Sequence, residues 1–296
     1  MKNKITFVIS SFGKGSLQSD GTPDPFIDAI QNSIRNIYPN TDDVKIIISC
    51  NGLPKEEMDR INDKIHNVRE ECNFLKISPG SLKLVTHYEA WKYIDTEWAV
   101  FLDSDMLLLK PIDKYLTDDI DYIFTWRPKD MTQGGWPWLN AGTMICRNTP
   151  LVRDFWEKYY EGMWEQALKY SKGDQFAFVN LLENFDRSIE RGKVLLNTPR
   201  DRTFKFNEHG INFLAVHVDY LNRSDGYAEW FEETAIQHLK GIMGTVITKT
   251  EKENRYNAFL ANLKSMDENK RKNLKIRIDL WKKFAPKEIA DGVIDL

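Results

Sequence analysis

Trp98-Ala99-Val100-Phe101-Leu102-Asp103-Ser104-Asp105-Met106-Leu107-Leu108-Leu109 decides the reading of this chain. Two acidic residues, one apart, interrupt an apolar run. Read as a strand, the segment alternates its side chains between faces, so positions 103 and 105 point the same way. In an α/β sheet, ligands bind at the carboxyl edge of the strands. Two carboxylates aimed at one spot repel each other unless a cation sits between them. A hard divalent ion, Mn²⁺ or Mg²⁺, accepts oxygen ligands and attracts phosphate. The segment therefore predicts a metal–diphosphate site.

On either side of this run the pattern alternates strand and helix. Ile5 to Ser10 is a short apolar run ending in the Gly/Ser segment Ser10-Ser11-Phe12-Gly13-Lys14-Gly15, a buried first strand feeding a loop. Pro25 to Ile37 repeats apolar residues at helical spacing (Phe26, Ile30, Ile34, Ile37) and stops before Pro39. Val44 to Ser49 reads as a second continuous strand before the turn Asn51-Gly52. Lys55 to Cys72 reads as a charged helix, Asn73 to Ile77 as a third strand, and Leu82 to Ile94 as the helix leading into the acidic strand. This order predicts a Rossmann-like α/β fold, with a mostly parallel central sheet flanked by helices.

Beyond the acidic pair, Tyr122 to Trp126 and Leu139 to Cys146 read as strands around the loop Gln133-Gly134-Gly135-Trp136-Pro137-Trp138. Leu151 to Ala167 and Asp174 to Leu182 read as helices, with shorter strands near Val194 and over Phe213 to Val218. A charged helical segment from about Thr250 carries Leu274, Ile278 and Trp281 on one stripe. The expected organisation is a domain over 1–245 and a helical extension over 246–296.

The 296 residues, 42% hydrophobic, are ample for one large domain with a buried core. The formal net charge of -3 gives no case for nucleic acid as a partner. Cys50, Cys72 and Cys146 are scattered and odd in number, with neither a zinc spacing nor a disulfide framework. The apolar run after Met1 is too short for a signal peptide, and no stretch approaches a membrane span, so a cytoplasmic location is expected. From Thr245 onward 12 Lys+Arg face 8 Asp+Glu. A basic amphipathic helix there suits weak peripheral contact with an anionic membrane. A solvated helix packed on the core accounts for the same pattern.

Four motifs then fall in one order: Asp103-Ser104-Asp105, Asn140-Ala141-Gly142, Gly173-Asp174-Gln175 and His238-Leu239-Lys240-Gly241. This series resembles the GT-A fold glycosyltransferases, in particular the glycogenin-like and lipopolysaccharide galactosyltransferase-like retaining enzymes. The resemblance covers residues 5 to 245. Each motif alone is weak, and the ordered set carries the resemblance. It implies a hexose transferred, with retention, from a nucleotide-diphosphate sugar (UDP foremost) to a glycan or lipid-linked acceptor. A divalent metal would stabilise the diphosphate leaving group.

By the same resemblance, Asp103, Asp105 and His238 would hold the metal, with His217 and His209 as competitors for the third place. Lys240 would pair with a phosphate, and Ser104 would belong with the residues that bind the donor nucleotide. Ile242-Met243-Gly244-Thr245 stands where the family has Lys-Pro-Trp, a departure beside that lysine. Asn140 would hydrogen-bond the donor sugar, Gly142 would admit close backbone approach, Asp174 would meet sugar or acceptor hydroxyls, and Gln175 would lie beside the anomeric carbon. A packing turn at Gly142 and a helix-capping Asp174 are the plainer accounts of those positions. Ser10, Ser11 and Phe12 would meet base and ribose, and Lys83 and His87 nucleotide or phosphate. Trp136 and Trp138 suit stacking on an acceptor sugar, whereas Trp126 is equally a core residue.

Two other readings compete. A haloacid-dehalogenase-like phosphatase would carry its acidic pair on the first strand with Thr or Val two positions later. Here the pair falls past residue 100 and Leu107 takes that place. A nucleotide-sugar-binding protein without turnover would keep the metal site and lose the chemistry.

Overall fold

The computed structural model describes residues 4–12, 25–40, 42–51, 64–67, 79–103, 105–127, 138–167, 173–182, 201–223, 231–239, 264–285 and 287. Its centre is an eight-stranded sheet in the order β3-β2-β1-β4-β7-β6-β9-β8. Here β1 is Ile5–Phe12, β2 Val44–Asn51, β3 Lys64–Asn67 and β4 Trp98–Leu102. The other half holds β6 Tyr122–Trp126, β7 Leu139–Arg147, β8 Phe204–Glu208 and β9 Ile211–His217. The pairs β1–β2, β1–β4, β2–β3 and β6–β9 run parallel, and the pairs through β7 and β8 run antiparallel. A two-stranded ribbon pairs β5, Met106–Leu108, with β10, Ile236–His238.

Continuous apolar runs become central strands because both faces are covered. In β4 the side chains divide by parity. Ala99 and Phe101 join one buried cluster with Leu84, Val85, Trp156 and Phe178. Trp98, Val100 and Leu102 join another with Ile27, Ile30 and Ile34. The first cluster is supplied by α2 (Pro79–Ala90), α3 (Pro150–Ala167) and α4 (Gly173–Leu181), the second by α1 (Pro25–Ile37). Between β9 and β10 lies the short α5, Val218–Leu221.

Three sequence expectations change. Lys64–Asn67, read as part of a charged helix, is an edge strand parallel to β2. The open backbone edge of β2 supplies partners that outweigh a helix-like charge pattern. The β8 strand was not anticipated, since its exposed positions carry Lys205 and Asn207. The acidic pair also lies outside strand structure: β4 ends at Leu102 and β5 begins at Met106. Asp103 and Asp105 belong to the connection between them. The strand expected over Asn73 to Ile77, the one near Val194, and Cys72 lie outside the described residues.

The C-terminal helix α6, Glu268–Phe284, buries Leu274, Ile278, Trp281 and Phe284. It packs on α1, where Asn32 donates to the Phe284 carbonyl at 2.7 Å. The stripe that a membrane surface would need is thus covered by the chain itself. No described helix is long and apolar enough to cross a membrane.

Candidate active site

The site forms at the carboxyl edge of β4, where β7 has an irregular register. Phe124 pairs with Met144 while the adjacent Thr125 pairs with Asn140, so Ala141, Gly142 and Thr143 fall out of the β6–β7 ladder. Such a bulge re-aims backbone and side chains next to a site. On the other side β7 still follows β4: Thr143 pairs with Leu102, and the Asp103 amide donates to the Gly142 carbonyl at 3.2 Å. The Asn140-Ala141-Gly142 segment is thereby pressed against the first aspartate. A Cβ built on Gly142 would lie 2.5 Å from Asn222 Nδ2, 2.8 Å from Met106 Cε and 3.0 Å from Asp103 Oδ2. Only glycine leaves room for these three groups to meet.

His238 arrives on β10, which pairs with β5 so that His238 faces Met106. The ribbon is tied further by the Leu239 amide on the Asp105 carbonyl at 2.7 Å. His238 Nε2 stands 2.9 Å from Asp105 Oδ1 and 4.0 Å from Asp103 Oδ2. One ligand atom from each of Asp103, Asp105 and His238 lies within 4.8 Å of the others. The donor set of two carboxylates and one imidazole suits Mn²⁺ or Mg²⁺. A deprotonated Asp105 oxygen and a bare imidazole nitrogen at 2.9 Å would repel, so this pair calls for a cation between them, either a proton or a metal. The residues present fit the ion that the sequence calls for.

The competing histidines are elsewhere. His217 is buried at the end of β9, its Nδ1 accepting from the Asp219 amide at 3.1 Å and its ring against the edge of Trp126. His209 is exposed, with a φ of 52° in the β8–β9 turn, and its Nε2 lies 2.9 Å from the Leu181 carbonyl.

Lys83, on α2, joins the acidic pair to the Asp174 motif. Its ammonium lies 3.0 Å from Asp103 Oδ1 and 3.3 Å from Asp174 Oδ2, and it donates to the Ala141 carbonyl at 3.1 Å. Burial alone would pull its pKa down, but the two carboxylates more than reverse that and hold the ammonium above the ordinary lysine range. Three acceptors use the three protons an ammonium carries. Lys83 thus faces carboxylates of the site itself. His87, one turn on, is fully buried against Phe101 and Trp156, with Nε2 3.4 Å from the Leu102 carbonyl. Burial, and secondarily the Lys83 charge, holds its pKa well below the usual histidine value.

Asp174 and Gln175 open α4 and are both buried. Gln175 Oε1 has no hydrogen-bond partner among the described residues. Ser10, at the carboxyl end of β1, is fully buried, and its Oγ has none either. Ser11 and Phe12 continue that strand. Trp138 is half-buried and packs beside Phe124. Trp126 is wholly in the core. Ser104, Trp136 and Lys240 lie outside the described residues.

Two residues of the site carried no sequence signal. Tyr159, on α3, looks like one more aromatic of an amphipathic helix. Its hydroxyl is buried without a hydrogen-bond partner among the described residues. Its pKa is raised by burial first and then by the charges of Asp174 and Asp103. Asn222, just after α5, is fully buried between Asn140 and His238. Nothing local in Val218-Asp219-Tyr220-Leu221-Asn222 marks it, because both partners are distant in the chain.

No family model matches this chain, and no curated protein matches it by sequence. Solved structures do resemble it. The glycosyltransferase GlyE of Streptococcus pneumoniae TIGR4 is 12% identical with a TM-score of 0.47, over 81% of this chain and 55% of its own length. This chain therefore spans about half of that protein. A glycosyltransferase involved in glycosylating the major capsid of PBCV-1 is 14% identical with a TM-score of 0.45, over 80% of this chain and 94% of its own. The galactosyltransferase LgtC, solved with donor and acceptor sugar analogues, is 12% identical with a TM-score of 0.43, over 91% of this chain and all of its own.

Proposed function

We propose that this chain is a metal-dependent glycosyltransferase. It would move a hexose from a nucleotide-diphosphate sugar, UDP foremost, to a glycan or lipid-linked acceptor, with retention at the anomeric carbon. The observation that carries the reading is the convergence of Asp103, Asp105 and His238 to within 4.8 Å, in contact through Lys83 with Asp174. Metal, sugar and helix motifs far apart in sequence thereby face one carboxyl edge, as the ordered series requires.

When bound, Mn²⁺ or Mg²⁺ would supply positive charge to the diphosphate as its bond to the sugar breaks. Asp103, Asp105 and His238 would hold it. Lys83 bridges Asp103 and Asp174, tying the carboxylate that would hold the metal to the one that would face sugar or acceptor hydroxyls. Asn140 would hydrogen-bond the donor sugar through its amide nitrogen, its Oδ1 already occupied by the Gly142 amide and Asn222. Gln175, whose buried oxygen has no hydrogen-bond partner among the described residues, would lie beside the anomeric carbon. Trp138, with Trp136, would serve the acceptor.

The test is transfer and donor hydrolysis with Mn²⁺ across a panel of UDP- and GDP-sugars, alongside Asp105→Ala. The variant is expected to keep its fold by circular dichroism and to lose metal-dependent donor binding. Undiminished activity in Asp105→Ala would remove the metal assignment. Nucleotide binding without released diphosphate would support a binding protein, and phosphate release from phosphomonoesters a phosphatase.

A further inference from the structure

Resting on that metal reading, we infer that Asn222 is a positioning residue. It fixes the tautomer of His238 by relaying the direction of one backbone hydrogen bond. The chain begins at the Gly142 amide, which can only donate and reaches Asn140 Oδ1 at 2.8 Å. That contact establishes which end of the Asn140 amide is oxygen, because its nitrogen there would set donor against donor. Asn222 lies 2.6 Å from the same oxygen. Only its Nδ2 is acceptable at that distance, since two carbonyl oxygens so close would repel. The Asn222 amide is planar, so its Oδ1 is turned the other way, to His238 Nδ1 at 3.0 Å. An oxygen acceptor there requires a proton on Nδ1. Nε2 is then the nitrogen whose lone pair faces Asp105 and Asp103.

Every link is buried: Asn140 and His238 nearly so, Asn222 completely. Water has little access to supply an alternative partner, so the direction chosen at Gly142 is carried through to the imidazole. A histidine ligand needs its second nitrogen protonated and oriented in this way, and loss of such an orienting partner typically weakens metal binding by about 10- to 100-fold. The relay also gives the Asn140-Ala141-Gly142 turn a second task, separate from any contact with a sugar. The backbone of that turn sets the polarity of the whole chain, and the missing Cβ at Gly142 leaves space for Asn222 Nδ2.

The experiment has two readings. In metal-free wild-type protein, nitrogen-15 NMR of the His238 ring is expected to show Nδ1 protonated. A bare Nδ1 with the proton on Nε2 alone overturns the relay. Manganese titration followed by the electron paramagnetic resonance of free Mn²⁺ is expected to show Asn222→Ala binding about 10- to 100-fold more weakly than wild type. Asn222→Asp keeps an oxygen facing Nδ1 but sets its other oxygen against Asn140 Oδ1, where the relay requires a donor, so it is expected to bind Mn²⁺ more weakly than wild type; full wild-type affinity in that variant would overturn the link to Asn140. Equal affinities for wild type and Asn222→Ala, with both folded by circular dichroism, overturn the proposal. A wild-type chain that binds no Mn²⁺ would refute the function proposed above. The Nδ1 proton in the metal-free protein would still decide the relay.

Discussion

Replacing Lys83 by methionine keeps the length of the side chain and deletes its charge. The ammonium is 3.0 Å from Asp103 and 3.3 Å from Asp174. The side chains are 8%, 21% and 5% exposed for Lys83, Asp103 and Asp174. Removing one partner of a buried ion pair costs about 3–5 kcal/mol, because the charge left behind has no compensation. Asp103 is the most open of the three and is partly rescued by water, so the lower end, about 3 kcal/mol, is expected near neutral pH.

The pH dependence identifies the cause. Lys83 titrates above its ordinary range in the folded protein. Its stabilisation is therefore complete below the unfolded lysine value and is lost only in strong base, as pH rises through the folded value. Between mild acid and neutrality the wild type gains or loses nothing from this group. In Lys83→Met, by contrast, the two deserted carboxylates favour protonation, and the deficit is expected to shrink as pH falls from about 7 to about 5. Urea unfolding at the two pH values measures both quantities, provided the slope with denaturant is unchanged. A deficit below about 1 kcal/mol at neutral pH, or one that does not shrink in acid, would refute the assignment of Lys83 as a buried bridge. A cycle with Asp174→Asn is expected to show a coupling of about 1–3 kcal/mol. Strict additivity would mean that the two groups do not interact.

Three further outcomes are expected. Gln175→Ala should lower turnover far more than donor affinity if the side chain lies at the anomeric centre, and steady-state kinetics showing an affinity-only loss would move it away from the reacting atoms. Gly142→Ala forces a Cβ to within 2.5 Å of Asn222 Nδ2; it should cost about 1–3 kcal/mol in urea unfolding and also weaken Mn²⁺ binding, and a variant of native stability and affinity would show that the turn yields freely. His87 stays neutral in the folded protein to well below its usual pKa, whereas the unfolded chain takes up a proton. Its contribution is complete above about pH 6.5 and declines below that by about 1.4 kcal/mol per pH unit. His87→Phe should flatten the stability profile in that window, and an unchanged slope would place the titration elsewhere.

The chain's own pattern determined the sheet and the identity of the acidic site. Continuous apolar runs such as Ile5–Ser10 and Trp98–Leu102 have no polar face, so they become strands with both faces covered. The Asp103/Asp105 pair at the end of one such run marks a place where a cation could be held. These features are local, and local patterns survive in a linear reading. Their mechanism of convergence was not legible: the two aspartates meet His238 through the β5–β10 ribbon and a turn, where strand alternation had been expected to align them. The β3 strand was hidden because its pairing depends on the edge that β2 leaves open.

The motif His238-Leu239-Lys240-Gly241 singles out His238 only through a resemblance; residue type alone does not separate it from His217 and His209, and tertiary structure carries His238 and neither of the others to the aspartates. The same holds for Lys83, whose charge is met by carboxylates 20 and 91 positions away, and for Asn222, 82 positions from Asn140. A residue type and its neighbours declare what chemistry is possible. Which groups share a proton, an ion or a hydrogen bond is decided by distances of about 3 Å that exist only after the chain has folded.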